Sequence, residues 1–143
     1  MLTVNQDSDD YKFFKTLNED VKLQSDEYNR WDIQMENHDY VNITGKESLV
    51  NAICIAIMTR FNELDFMNLY EDFGCRAHEL IKANKSDIVK YKIELFVTEV
   101  LENMRRVFEV NEIEVTDSDT NSYKVFFNVT SINDEIVQGS VSI

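Results

Sequence analysis

From Val89 to Phe108 the apolar residues of this chain recur at three- and four-residue steps, and beyond Glu109 the step falls to two. The first spacing puts Val89, Ile93, Phe96, Val97, Val100, Leu101, Met104, Val107 and Phe108 on one face of a helix. The second runs through Ile113 and Val115, then Tyr123, Val125, Phe127 and Val129, then Val137, Val141 and Ile143, with the alternation of half-buried strands. Turn chemistry separates the three runs at Asp117-Ser118-Asp119-Thr120-Asn121 and at Asn133-Asp134. An amphipathic helix feeding an antiparallel meander buries both apolar faces by laying helix on sheet. The expected fold class is therefore α+β.

A second helix is expected ahead of the first. Thr44-Gly45-Lys46-Glu47 has the spacing of a capping box, and from Leu49 to Met58 nearly every residue except Asn51 is apolar. Such a helix is covered on most sides and belongs at the centre of the core. Ser86 with Asp87 supplies the N-cap of the long helix, which is read as continuing to Phe108 with Arg105 and Arg106 in its last turn. Between the helices, Arg60 to Glu63 ends the first. Asp65 to Gly74 is then a loop carrying Phe66, Leu69, Tyr70 and Phe73, and Cys75 to Lys82 is a short helix. Upstream, Trp31, Ile33 and Met35 alternate with polar residues, Asn37-His38-Asp39 turns the chain, and Tyr40, Val41 and Ile43 allow a second short strand. Residues 1–30 show only irregular apolar positions (Phe13, Phe14, Leu17, Val21, Leu23) after an acidic start. They are read as a mobile N-terminal arm or peripheral segment, attached to a single domain over 31–143 in which two main helices pack on the small C-terminal sheet.

Net charge bears on partners. The chain of 143 residues carries −13, with −6 over residues 1–40 and −6 over 109–143. Nucleic-acid affinity comes largely from Lys and Arg displacing counterions around phosphates, so these acidic ends argue against binding to nucleic acid. They suit a basic protein partner or simple solvation. The longest apolar run, Ala52 to Met58, is too short to span a bilayer, and the N-terminus lacks the basic start and apolar stretch of a signal peptide. No membrane association is expected, and the chain is expected to remain in the cytoplasm until it assembles. With 43% hydrophobic residues the chain can bury a core.

The candidate chemical sites are thin. A glycosidase needs two carboxylates about 5–10 Å apart, and Glu63 with Glu71 or Asp72 in the central loop is the pair to consider. Loop and helix-end solvation accounts for these residues as well. Cys75 and His78 lie three apart, with Cys54 and His38 elsewhere, which is one loose pair rather than the two knuckles of a zinc site. No metal and no cofactor is expected, and no phosphate loop, dinucleotide fingerprint or nucleophile elbow is present.

The stretch from Asp32 to Ile143 resembles the baseplate wedge or sheath-initiator family of contractile phage tails, whose members are often labelled lysozyme-like. Asn42-Ile43-Thr44-Gly45 followed by Leu49-Val50-Asn51-Ala52-Ile53 is similar to the family's glycine and first helix. Ile57-Met58-Thr59-Arg60-Phe61-Asn62-Glu63 and Asp72-Phe73-Gly74 resemble its two loop signatures, with Asn62 for a common glycine and Phe73 for a tyrosine. Arg106-Val107 with Val110, Ile113 and Val115 is similar to the segment after the family's Glu-Pro-Arg motif, in which Met104 and Arg105 replace the first two residues. The resemblance implies a non-enzymatic structural protein that starts the sheath by strand addition, with sheath subunits and other baseplate wedge proteins as partners. The implied contact residues are Arg105, Arg106, Val137, Gly139, Ser140, Val141 and Ile143. Two readings stand beside it: a cell-wall muramidase, and an acidic soluble adaptor.

Overall fold

The computed structural model describes residues 17–28, 30–67, 70–118 and 121–143. Its order is β1 (Glu19–Val21), β2 (Leu23–Ser25), β3 (Trp31–Ile33), β4 (Met35–Glu36), β5 (Asp39–Tyr40), β6 (Asn42–Thr44), α1 (Gly45–Met58), α2 (Asp87–Glu102), β7 (Val107–Asp117), β8 (Tyr123–Ser131) and β9 (Ile136–Ser142), with 3₁₀ turns at Asp65–Met67 and Arg76–Leu80 between the helices. The mixed α+β class expected from the two hydrophobic periods is the one observed.

β7, β8 and β9 form an antiparallel sheet in chain order. Tyr123, Val125, Phe127, Val129 and Ser131 of β8 alternate inward and are buried, and Val137 and Val141 of β9 join them. α1 packs chiefly against β9, and α2 against β7. The core so formed takes Leu49, Ile53 and Ile57 from α1 and Ile93, Val97 and Leu101 from α2. β7 departs from a regular ladder at Val107/Glu109 and Val110/Glu112. At the first of these bulges Phe108 is turned outward.

α2 begins as expected, with the Ser86 hydroxyl accepting from the Val89 N–H at 3.2 Å. It ends sooner, at Glu102, where the Asn103 N–H returns to the carbonyls of Glu99 and Leu101. Met104, in the connection, and Val107, the first residue of β7, continue the apolar spacing because both still pack on the core formed by the helix. Arg105 and Arg106 therefore lie in the connection to β7 and not in a helical last turn. The segment expected as a short helix from Cys75 to Lys82 is the five-residue 3₁₀ turn.

Thr44 does occupy the N-cap of α1, but its side chain makes no capping bond. It is also the last residue of β6, paired with Glu19, and this ladder sets its direction while Gly45 turns with φ +66°. Asn37 and His38 both adopt left-handed φ between β4 and β5, which is the geometry of a tight hairpin turn. Residues 1–16 of the expected arm lie outside the described residues, as do Leu69 and the Asp119-Thr120 part of the expected turn. From Leu17 onward the segment is fastened to the domain. Leu17 is buried, β1 pairs with β6, and β2 pairs with β3.

Candidate functional site

Two surfaces collect the residues singled out from the sequence, and they lie apart. The first is the β9 edge of the three-stranded sheet, whose other edge strand is β7. Tyr123 and Ile143 exchange both backbone hydrogen bonds at 2.9 Å, which sets the phase of the β8–β9 ladder. In an antiparallel pair, bonded and non-bonded residue pairs alternate. Ile143, Val141, Gly139 and Val137 therefore direct their N–H and C=O groups at β8, opposite Tyr123, Val125, Phe127 and Val129. Ile136, Gln138, Ser140 and Ser142 direct theirs away from the sheet. No strand among the described residues pairs with that side.

Of the five residues from Val137 to Ile143 expected at an interface, only Ser140 presents its backbone outward. Val137 and Val141 are buried core, Ile143 is half-buried, and Gly139 lies over Phe127, whose ring would meet an added Cβ at 2.6 Å. The sequence reading missed Ile136, Gln138 and Ser142 as outward groups. Alternation marks the buried face of a strand, but which N–H groups are free depends on the phase of the ladder.

The second surface is an open cleft of about 680 Å³ between the central loop, α1, α2 and the α2–β7 connection. Phe61, Phe96 and Met104 give it apolar walls, while Glu71, Asp72 and Glu99 meet Arg76, Arg105 and Arg106 around it. The Arg76 guanidinium sits 4.4 Å over the Phe61 ring. Arg106 is engaged within the chain: one guanidinium nitrogen donates to the Leu17 carbonyl at 2.8 Å and to the Ser48 hydroxyl at 3.4 Å. Burial lowers its pKa and the charge of Asp20 opposes that shift. The residue thus ties the start of the described chain to α1 and the α2–β7 turn.

The three carboxylates considered for a glycosidase are placed by different contacts. Glu71 and Asp72 border the cleft and are exposed, whereas the Glu63 carboxylate accepts from the Arg60 N–H at 3.0 Å and closes the turn after α1. Asp72 takes a left-handed φ, its N–H donating to the Asn62 side chain at 2.8 Å.

Cys54 and Cys75 are buried free thiols, and burial pushes the Cys54 pKa up to about 11 and raises that of Cys75. Neither is therefore a ready thiolate. His78 donates from Nε2 to the Ile57 carbonyl at 2.8 Å. Among the described residues no three metal-ligating side chains converge.

The edge, the cleft and the layering define an α+β domain whose three-stranded sheet leaves the outer side of β9 without a partner strand among the described residues. A crystal structure from Geobacter sulfurreducens, described as a candidate tail lysozyme, has this fold: it aligns with a TM-score of 0.58 at 17% identity over 68% of this chain and 87% of that one. No protein-family model and no curated protein matches the chain. No helix among the described residues is long and apolar enough to cross a membrane.

Proposed function

We propose that the chain is a non-enzymatic subunit of the baseplate of a contractile phage tail or related injection machine. In this role it starts the sheath by accepting a strand from the first sheath ring. Sheath subunits and other wedge proteins are its partners, the assembled tail particle is its final location, and its acidic surface takes no nucleic acid. The observation that carries the reading is the outward edge of β9. Ile136, Gln138, Ser140 and Ser142 offer a row of backbone donors and acceptors with no proline, charge or covering strand among the described residues. Natural sheets usually block such an edge, and an unblocked one is a template on which a neighbouring chain can add in fixed register. The fold shared with a candidate tail lysozyme supports the tail-related part of this reading.

The test follows from the phase of the ladder. Ser140→Pro removes an outward N–H and leaves the bonds to β8 in place, so it should fold and fail to nucleate sheath. Val141→Pro removes a bond to β8 and should lower stability. Circular dichroism reports the fold, and electron microscopy of baseplates reports the sheath. Full-length sheath on baseplates carrying folded Ser140→Pro protein would eliminate β9 as the docking edge.

A further inference from the structure

Beside the outward edge of β9 lies a groove of about 410 Å³. Ile136, Val137 and Gln138 form the near wall, Leu23 and Trp31 of the β2–β3 hairpin stand across it, and Val50 and Cys54 of α1 contribute its base. α1 runs under β9, close enough that a Cβ on Gly139 would lie 3.2 Å from Val50 Cγ1. A strand added to β9 would run about 4.8 Å from it, with alternate side chains pointing toward the helix side of the sheet. On that side the groove supplies their seats. Lys22 and Lys46 stand on its margin with Glu47, a local excess of positive charge on a chain of net charge −13.

We infer that this groove reads the side chains of the added strand, selecting an extended segment with apolar residues on its inward positions and acidic residues flanking them. The inference rests on the strand-addition reading and supplies its specificity. Backbone bonds along an edge accept almost any sequence, whereas seats for alternate side chains discriminate between strands. Leucine, tryptophan and valine walls reward an apolar side chain and leave a polar one unpaired. The two lysines favour an acidic flank, and long-range attraction of this kind also raises the rate of encounter.

Trp31 is the single tryptophan of the chain, so its emission reports on the groove directly. The full chain is titrated with three capped seven-residue peptides. One alternates valine and threonine between terminal glutamates, one replaces the glutamates by lysines, and one keeps the glutamates and replaces the valines by serines. The glutamate–valine peptide should bind saturably and at least roughly tenfold more tightly than either of the others, the scale expected of two rim ion pairs or of one lost apolar contact. Lys22→Glu combined with Lys46→Glu should transfer the preference to the lysine peptide, and Ser140→Pro should weaken binding of all three. Equal binding of the serine peptide, an unmoved charge preference in the double variant, or no saturable change with any peptide would overturn the inference. Sheath nucleation by the double variant keeps the two readings distinguishable. Loss of peptide selection while Ser140→Pro still blocks sheath removes the groove alone, and normal sheath with Ser140→Pro removes the edge.

Discussion

Among individual residues, the buried polar groups are the informative ones. Asn51 interrupts the apolar run of α1, and its side chain is saturated: Nδ2 donates to the Asp20 carboxylate and the Val21 carbonyl, both at 3.0 Å, and Oδ1 accepts from the Leu23 N–H at 3.2 Å. With Arg106 on the Leu17 carbonyl, it fastens the segment from Leu17 to Leu23 to the helix that carries the core. Ser131 is buried and satisfied by Asn133 and by the Glu135 N–H. Tyr123 differs. Its ring is buried beneath the Lys85 ammonium at 5.0 Å, and its hydroxyl has no hydrogen-bond partner among the described residues. An unsatisfied buried polar group costs about 1–3 kcal/mol, so removing it should recover part of that cost. Tyr123→Phe is expected to be as stable as the native chain or up to about 1 kcal/mol more stable in a urea titration. A loss larger than this would mean that the hydroxyl is bonded.

At the level of elements, α2 shows how a periodic pattern identifies a face without ranking its members. Ile93, Val97 and Leu101 are fully buried, whereas Phe96, expected on the same core-facing side, is half-buried on the wall of the cleft. The apolar stripe is wider than the strip covered by the sheet, and the position of β7 decides which residues lie beneath it. Leu101→Ala should therefore cost about 2–5 kcal/mol as a buried large-to-small change. Phe96→Ala should cost less, and Lys92→Ala should stay within about 0.5 kcal/mol. The reverse order for the first two in equilibrium unfolding would place the helix on its other flank. The loop signature at Phe73-Gly74 also gains a physical reason: Gly74 has φ +110°, and a Cβ there would collide with the Arg60 carbonyl. That close approach is fixed where the Cys75 N–H bonds the Thr59 carbonyl at 2.8 Å.

Over the whole molecule, acidic surface, open cleft and free sheet edge are separate features, and their separation bears on catalysis. No residue lines both the cleft and the β9 groove. A triple variant, Glu63→Gln with Glu71→Gln and Asp72→Asn, should leave sheath assembly on baseplates unimpaired. Cell-wall hydrolysis by the native chain that disappears in this variant would instead establish a muramidase. What the amino-acid sequence determined by itself was local. The switch of hydrophobic period from helical steps to two dictates α+β and the meander, the Ser86 cap starts α2, and the turn residues separate the strands. Each depends on neighbours within a few positions. Tertiary structure decided the rest. The end of α2 at Glu102 is hidden in the sequence because Met104 in the connection and Val107 at the start of β7 keep the helical spacing while packing on the same core. The inward use of Arg106 depends on Leu17 and Ser48, far away in sequence. The outward set Ile136, Gln138, Ser140 and Ser142 depends on the phase of the β8–β9 ladder. Side-chain alternation records which face of a strand is buried, but only pairing with a second strand determines which backbone groups are left free to meet a third.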